Sequence, residues 1–282
     1  MKPINECIIC GSRSFSQQFS KPSATGDEFT LVKCDECGLK FLSQVPDEKE
    51  IIQYYKKQYF TQRTDRGYDD YFSGKIKNEI ERVFKLNLAD LDFFRFENTL
   101  GSKRYALDIG CAAGYFVNYL KEKSWHSQGI DVSKVCVDHA RKMKFDVRQG
   151  DYIITDFHNK FNLITLWATI EHLHRPDLVL KKAYKDLKTD GRLYLSTCRI
   201  DGFNFMKIFG KKWRFFNFPE HIYFFSYRTL KRLLNNSGFE VIVYKTYGSN
   251  IGKSGFLIRK IFDFLAKKLY LGDMLIISAK KI

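Results

Sequence analysis

Apolar residues recur with two different periods along this chain. Between about residues 46 and 100 they are spaced by three or four positions, as on one face of a helix. Pro46 and the two acids after it are typical of a helix start, and a second helix is predicted for residues 76–96. From Tyr105 onward, short apolar runs alternate with turns and helical stretches. These runs predict strands at residues 105–109, 127–130, 146–149, 163–166, 192–197, 241–247 and 274–279.

The alternation of strands and helices predicts an α/β fold, with a parallel sheet covered by helices on both faces. Residues 1–45 differ from the rest because they are polar and contain paired cysteines. We therefore divide the 282 residues into an N-terminal module (1–45), a helical connecting segment (46–100) and a large α/β domain (101–282).

Four cysteines form two matched Cys-x-x-Cys-Gly sequences, at Cys7 and Cys10 and at Cys34 and Cys37, with 23 residues between the pairs. A two-residue spacer lets both thiolates bind one ion, and four thiolates in a tetrahedron are typical of structural zinc. We predict a zinc-binding module, with iron or a redox dithiol as alternatives. Four sulfur ligands leave no position for substrate, so we expect no direct catalysis by the metal. The other three cysteines are expected to pack.

The strand ending near Leu107 leads into a tight turn, Gly110-Cys111-Ala112-Ala113-Gly114, and then a helix. Small residues in such a turn let the backbone approach a ligand closely. Asp131 ends the next strand, 21 residues after Gly110, where a carboxylate suits a ribose diol. Its alternative role is to open the following helix. Asp151 follows the third strand and can accept a hydrogen bond from an adenine amino group, or serve as a simple loop acid.

The runs LDIGCAAG, GIDVS, QGD, FNLITLWATIEHL and LKTDGRLYLST resemble, in order, the motifs of class I S-adenosylmethionine (SAM)-dependent methyltransferases. The resemblance covers about residues 100–245 and is strongest to the ubiquinone-methyltransferase-like, or type 23, branch. It implies a Rossmann-like sheet of seven strands whose last strand is antiparallel. It also implies SAM as cofactor. By this resemblance, Asp108 and Gly110 line the methionine end of SAM, Asp131 holds the ribose, Asp151 the adenine, and Trp167 lies near the sulfonium. The further candidate cofactor-binding residues are Cys111, Ala112, Gly114, Val132 and Tyr152.

Two features of the chain modify this resemblance. Ala112 stands where the family usually has glycine, and we expect SAM binding to survive the extra methyl group. The N-terminal cysteine module resembles that of SAM methyltransferases acting on nucleotide-linked deoxysugars, but the chain lacks the long C-terminal domain of the sugar C-methyltransferases. We therefore expect O-methylation at least as much as C-methylation.

Two Glu-His pairs are candidates for the acid-base chemistry. Glu171-His172 follows the fourth strand, beside the expected sulfonium, and Glu220-His221 lies in an aromatic segment after the fifth. A histidine titrates near neutral pH and can remove the proton of an acceptor hydroxyl. The aromatic segment predicts either a lid over the acceptor or a loop packed on the core. For both histidines the alternative is a role in ordering the loop.

Positive charge is concentrated toward the C-terminus. The net charge is +15, and residues 203–282 contain fifteen Lys/Arg and four Asp/Glu. Such a field favours an anionic partner: a sugar nucleotide, a lipid-linked glycan or nucleic acid. Residues 255–271 predict a basic amphipathic helix, which either packs on protein or rests on an anionic membrane surface. The oligomeric state is not predicted.

The leading hypothesis is therefore an enzyme that transfers a methyl group from SAM to a small-molecule acceptor, such as a sugar or glycan hydroxyl, with a histidine base. One alternative is an RNA methyltransferase that holds its substrate with the zinc module and the basic surface. Another is a non-catalytic scaffold with the SAM-binding fold. No run of about 18 apolar residues and no apolar signal core are found, so a cytoplasmic protein is expected.

Overall fold

The computed structural model describes residues 1–55, 57–62, 70–157, 160–202, 210–248, 264 and 266–282. In these residues the strands are β1 (Lys2–Pro3), β2 (Phe15–Pro22), β3 (Glu28–Cys34), β4 (Lys40–Leu42), β5 (Gln44–Val45), β6 (Tyr105–Ile109), β7 (His126–Asp131), β8 (Val147–Gln149), β9 (Phe161–Trp167), β10 (Leu187–Cys198), β11 (Tyr223–Phe224), β12 (Phe239–Tyr247) and β13 (Met274–Lys281). The helices are α1 (Lys57–Thr61), α2 (Gly74–Asp90), α3 (Phe93–Asn98), α4 (Tyr115–Lys121), α5 (Lys134–Lys142), α6 (Pro176–Asp186) and α7 (Tyr227–Asn236). Short 3₁₀ turns occur at Ile51–Tyr55, Ile170–His172 and Gly210–Lys212.

The large sheet has seven strands in the order β12-β13-β10-β9-β6-β7-β8. The strands from β10 to β8 are parallel to their neighbours, and β13 runs antiparallel to both β10 and β12. The predicted Rossmann-like sheet with a reversed last strand is therefore confirmed, and all seven predicted strands are present. Strand order reverses between β6 and β9, and in such sheets ligands bind at this switch point, outside the carboxyl ends of the strands.

The single helix predicted for residues 76–96 is wrong. The chain forms two helices, α2 and α3, and Asp92 between them adopts a left-handed conformation with φ 61°. A right-handed helix cannot continue through that conformation. The apolar face is nevertheless kept, because Leu88, Leu91 and Phe93 on both sides of the break are buried in one cluster. Part of the predicted C-terminal amphipathic helix, residues 255–263 and 265, lies outside the described residues.

The N-terminal residues form strands that connect directly to the large domain. Strands β2, β3 and β4 make an antiparallel sheet, and β11 adds to β4 as a fourth strand, with Tyr223 opposite Phe41. Phe41 and Tyr223 belong to the same core cluster as Ile164 and Leu195 of the large sheet. The cysteine module is thus packed continuously with the α/β core. In the part of the chain that the structure describes, no helix is long and apolar enough to cross a membrane.

Candidate active site and cysteine cluster

The loop between β6 and α4 lies at the carboxyl edge of the parallel strands. Gly110 and Gly114 have φ values of 69° and 75°, which side-chain-bearing residues rarely adopt. A Cβ on Gly110 would lie 2.4 Å from Cγ2 of Thr169, and one on Gly114 would lie 2.9 Å from Cγ2 of Val147. Both the backbone conformation and the close packing therefore require glycine at these two positions.

Asp131 at the end of β7 organises this loop. Its Oδ2 accepts a hydrogen bond from the Ala112 N–H and its Oδ1 accepts one from the Ser133 N–H, both at 2.8 Å. Helix α5 begins at Lys134 with Ser133 as its N-cap residue, so Asp131 does not cap it. Each carboxylate oxygen retains a second lone pair that can accept a ribose hydroxyl. The ribose assignment stays a prediction that this geometry permits.

Ala112 occupies the loop in a left-handed conformation, with φ 46°. For a residue with a Cβ this conformation costs about 1–2 kcal/mol. The cluster that contacts Ala112 includes Tyr59 and Phe60 of α1 and Cys136 of α5. The chain thus adopts a glycine-type backbone at an alanine and covers it with packed side chains.

Asp108, near the end of β6, is the buried acid of the loop. It is 4% exposed, and its Oδ1 accepts a 2.6 Å hydrogen bond from the Thr165 hydroxyl of β9. Burial raises the pKa of Asp108 to about 7, while the Thr165 bond lowers it and the charge of Asp131 raises it further. The charge of this carboxyl group therefore changes near neutral pH.

Three further residues assigned to SAM lie at the same edge of the sheet. Asp151 is exposed after β8, and its Oδ1 accepts a hydrogen bond from the Ile153 N–H. Val132, directly after Asp131, is 39% exposed. Trp167 ends β9, and its buried indole N–H has no acceptor among the residues that the structure describes. The placement of all three is compatible with contacts to a ligand at this edge.

Two residues assigned to SAM, Tyr152 and Cys111, have side chains that point into the core. The Tyr152 hydroxyl donates to Asp186 of α6 at 2.7 Å, and its ring belongs to the main core cluster. Cys111 is buried, and a Cβ on Gly129 would lie 2.6 Å from its Sγ. We therefore assign packing roles to the side chains of Tyr152 and Cys111, and only the backbone of Cys111 stays available to a cofactor.

The candidate acid-base residues form one cluster. Glu171 and His172 lie in the 3₁₀ turn after β9, and His221 precedes β11. One ligand atom of each lies within 4.8 Å of the others, and the two imidazole rings are perpendicular, with centroids 4.6 Å apart. Glu171 is 1% exposed. The two Glu-His pairs, predicted as alternatives, thus meet at one place, and the same carboxylate and imidazoles are ligand types of a divalent cation.

Hydrogen bonds fix the orientation of His172. Its Nδ1 lies 2.8 Å from the carbonyl oxygen of Glu220 and 3.2 Å from the Tyr55 hydroxyl. A carbonyl oxygen can only accept, so Nδ1 carries the proton and the other ring nitrogen, Nε2, carries the lone pair of the neutral imidazole. The Nδ1 of His221 lies 3.9 Å from Sγ of Cys198. Burial raises the pKa of Cys198 well above its ordinary value, so this group remains a thiol.

The aromatic segment around Glu220 is packed in the core. Trp213, Phe216, Phe218 and Phe224 are each at most 4% exposed and pack on one another. Of the two interpretations, a lid or a loop packed on the core, the structure supports the second. Directly after this segment, Ser226 caps α7, because its hydroxyl accepts a hydrogen bond from the Thr229 N–H.

Some residues of the site have only weak signals in the sequence. The Tyr55 hydroxyl reaches His172 across 117 positions, and the Tyr55 carbonyl accepts from Ser133 at 3.3 Å, which ties the connecting segment to both ends of the site. Tyr54, Tyr55 and Tyr59 are all candidates to cover an acceptor, but nothing in their spacing distinguishes Tyr55. Lys21, in the cysteine module, interacts electrostatically with Glu220. Nothing in the sequence indicates this interaction.

The four paired cysteines form a compact cluster. Sγ of Cys7 lies 3.4 Å from Sγ of Cys37, and Sγ of Cys10 lies 3.5 Å from Sγ of Cys34. These distances are far longer than a disulfide bond and close to the edge of about 3.8 Å expected for a tetrahedron with zinc–sulfur bonds of about 2.3 Å. The four sulfurs lie within 4.8 Å of one another, so the donor set fits zinc.

The two cysteine pairs have the same backbone geometry. Gly11 and Gly38, each following a pair, have φ values of 70° and 79°, and their N–H groups donate to the carbonyls of Cys7 and Cys34. Backbone N–H groups also point at the sulfurs. At Cys34, burial raises the thiol pKa but hydrogen bonds from the Cys37 and Glu36 N–H groups outweigh it, so the pKa falls to about 7. Cys34 is thus favoured as a thiolate, the form that binds a metal ion, whereas burial raises the pKa of Cys7 and, to about 11, that of Cys37.

Comparison with known proteins agrees with this architecture. The Methyltransf_23 family, described as a methyltransferase domain, matches residues 80–244, more than half of the chain. A ubiquinone biosynthesis O-methyltransferase of Coxiella burnetii is 27% identical over 132 residues, which are 44% of this chain and 54% of that protein. The mitochondrial ubiquinone biosynthesis O-methyltransferase of Saccharomyces cerevisiae is 29% identical over 105 residues, or 34% of each chain. This chain thus spans about half, or less, of the length of these curated relatives.

A solved SAM-dependent methyltransferase of Archaeoglobus fulgidus superposes with a TM-score of 0.52 and 20% sequence identity, over 71% of this chain and 94% of that one. At that identity the superposition shows the fold alone. The family match covers the loop at Gly110–Gly114, the acid Asp131 and the Glu171-His172 pair, and it identifies this part of the chain as a methyltransferase domain. The chain therefore belongs to the Methyltransf_23 family and contains a SAM-dependent methyltransferase domain with the class I fold.

Proposed function

We propose that this enzyme methylates a hydroxyl group of a small molecule and that His172 is the general base. The observation that carries the proposal is the cluster of Glu171, His172 and His221 beside the end of β9, at the edge where the donor loop also lies. The names of the curated relatives, which are O-methyltransferases, support a hydroxyl acceptor.

When bound, SAM supplies an already activated methyl group on a sulfonium, so the protein must hold the acceptor in line and remove its proton. His172 is suited to that second task. Its Nδ1–H donates to the Glu220 carbonyl, which leaves Nε2 as the atom that accepts a proton in the neutral ring. The buried Glu171 carboxylate, less than 4.8 Å from an imidazole nitrogen, favours the imidazolium that forms. We assign His221 to orienting the acceptor.

The acceptor class has two candidates. The cysteine module favours a sugar hydroxyl, by its resemblance to deoxysugar methyltransferases, and the excess of Lys and Arg in residues 203–282 favours an acceptor that carries a phosphate. The curated relatives favour a phenolic hydroxyl of a quinone precursor. A phenol, with a pKa of about 10, loses its proton to imidazole more readily than a sugar alcohol does.

We further propose that Cys7, Cys10, Cys34 and Cys37 hold one structural zinc ion. The sulfur spacing supports this proposal. Metal analysis of the purified protein is expected to find about one zinc per chain, because one tetrahedral site with four thiolate ligands binds one ion. A fully folded protein without metal would contradict it.

The function is tested by transfer of labelled methyl groups from SAM to sugar nucleotides, lipid-linked glycans, quinone-type phenols and RNA. On the accepted substrate, His172→Gln is expected to lower turnover by about 10²–10⁴, as for loss of a general base, while SAM affinity measured by calorimetry stays unchanged. The matched control is His126→Gln, since His126 lies at the opposite, amino end of β7. Wild-type turnover by His172→Gln would remove it as the base.

A further inference from the structure

The cysteine module contacts the acceptor side of the active site through its own backbone. The Cys34 N–H donates to the carbonyl of Leu39, which directly precedes β4, so the second cysteine pair and β4 are hydrogen-bonded together. Strand β4 then pairs with β11, with Phe41 opposite Tyr223. A metal ion bound to Cys34 and Cys37 would therefore hold the turn from which β4 starts.

From β4 the hydrogen bonds continue to the catalytic cluster. The Leu42 N–H donates to the Ile222 carbonyl at 3.0 Å, and the Ile222 N–H donates to the Glu171 carbonyl at 2.8 Å. Ile222 thus accepts a hydrogen bond from the module and donates one to the turn that contains Glu171 and His172. Because Ile222 directly follows His221, its position also sets the position of His221.

A side chain of the module provides a second, independent link. The half-buried Lys21 of β2 donates to the Phe216 carbonyl at 2.8 Å, and its ammonium lies 5.9 Å from the ring centre of Phe218. Burial lowers the pKa of Lys21, and the Glu220 carboxylate partly offsets this effect, so the two charges interact. Phe19 of the same strand packs against the rings of Phe216 and Phe218. The segment that carries Glu220 and His221 is therefore held to the module at both of its ends.

The donor side lacks a comparable connection among the residues that the structure describes. Asp108, Asp131 and the Gly110–Gly114 loop form their hydrogen bonds with one another, with strands of the large sheet, with Ser133 and with α4. We propose that the cysteine module is the positioning element of the acceptor site, so that its metal occupancy and Lys21 set the rate of methyl transfer while leaving SAM affinity unchanged. This inference rests on the proposed function for its effect on turnover, but the structural coupling is measurable without any acceptor.

The first test is hydrogen exchange of the full chain before and after removal of zinc with a chelator. Exchange in residues 217–226 is expected to rise at least about tenfold, since these residues lose the support of β4, while residues 105–114 stay protected and SAM affinity changes less than about twofold. Unchanged exchange in residues 217–226 would overturn the proposal. An equal rise in both segments would also overturn it, because the metal would then stabilise the whole fold.

The second test uses single substitutions that keep all four cysteines. Lys21→Met is expected to lower kcat about 10- to 100-fold, the scale for a slightly misplaced acceptor site, with KM for SAM unchanged. Lys21→Arg should recover most of the rate, because it restores the charge and the donor. Lys33→Met, an exposed lysine on the neighbouring β3, is the matched control. Wild-type kcat in Lys21→Met would contradict the positioning role. If His172→Gln retained full turnover, the proposed base would fail but the exchange result would still decide the coupling.

Discussion

The proposed donor and acceptor sides of this active site are built in different ways. The donor side uses the ends of adjacent parallel strands and the loop after β6, with bonds such as Asp131 to the Ala112 N–H of that loop and Asp108 to Thr165 of the neighbouring strand. The acceptor side instead joins turns that lie outside the large sheet. His172 meets Tyr55 across 117 positions and the Glu220 carbonyl across 48.

Because the two sides are built differently, substitutions on each side are expected to impair different functions. A donor side held by the sheet itself should respond to substitution mainly through SAM affinity. An acceptor side held by contacts between turns outside the sheet should respond mainly through turnover. Four substitutions or conditions test that separation, beginning with the largest expected effect.

Glu171→Gln should lower kcat about 100- to 1,000-fold, because the neutral amide no longer stabilises a protonated imidazole in a buried cluster. SAM affinity measured by calorimetry should remain within about twofold of wild type. Asp156→Asn, at a loop acid outside the cluster, provides a control for removal of one negative charge. If Glu171→Gln weakened SAM binding as much as turnover, the two sides would not be separable at this residue.

Asp131→Ala should weaken SAM binding by about 2–3 kcal/mol, or about 30- to 150-fold, the scale for losing hydrogen bonds to a charged group. Part of this loss comes from the loop, since the carboxylate also binds the Ala112 and Ser133 N–H groups. Asp131→Asn keeps one acceptor oxygen and should lose less. At saturating SAM, kcat of both variants should approach wild type. A low kcat that saturation does not restore would show that Asp131 also organises the acceptor side.

The same contrast explains how far the sequence could predict the molecule. The loop at Gly110–Gly114 and the acid Asp131 were predictable because a strand, a tight turn and the next strand end carry their signals within about 20 residues. The sequence identifies both Glu-His pairs as candidates, but it does not show that the two pairs lie close together in space. That convergence depends on β11 pairing with β4, which lies far earlier in the chain, and two-residue strands such as Tyr223–Phe224 have no periodic pattern. The break at Asp92 has no signal in the sequence, because the apolar spacing continues through it.

The pH dependence of SAM binding should report the charge of Asp108. Its pKa in the folded protein is raised to about 7, so the carboxyl is mostly protonated at about pH 6 and mostly ionised at about pH 8. If the ionised form attracts the cationic methionine end of SAM, affinity should be about tenfold higher at the upper pH than at the lower. Asp108→Asn should remove this part of the dependence, and titration of SAM itself cancels in the comparison with wild type. An identical profile in Asp108→Asn would exclude Asp108 from the donor site.

The raised pKa of Asp108 affects the stability of the SAM-free protein in the opposite direction: stability falls as pH rises. A carboxyl whose pKa is higher in the folded state than in the unfolded state binds protons preferentially when folded. Its contribution to the free energy of unfolding is therefore fully present below the unfolded pKa near 3.8 and is lost as pH rises to about 7. Thermal unfolding of the SAM-free protein between about pH 5 and pH 8 should show this loss in wild type and a smaller one in Asp108→Asn.

Ala112→Gly should produce the smallest change and should separate loop strain from ligand binding. Glycine removes the cost of the left-handed conformation at φ 46°, about 1–2 kcal/mol, but the unfolded chain gains about 0.5–1 kcal/mol of conformational freedom. The net gain in the free energy of unfolding is expected to be at most about 1.5 kcal/mol, measured by denaturant titration. Because the Ala112 N–H, and not its methyl group, binds Asp131, SAM affinity should stay within about twofold. A large gain in affinity would instead mean that the methyl group obstructs the cofactor, and that the donor side of this chain is weakened by its own sequence.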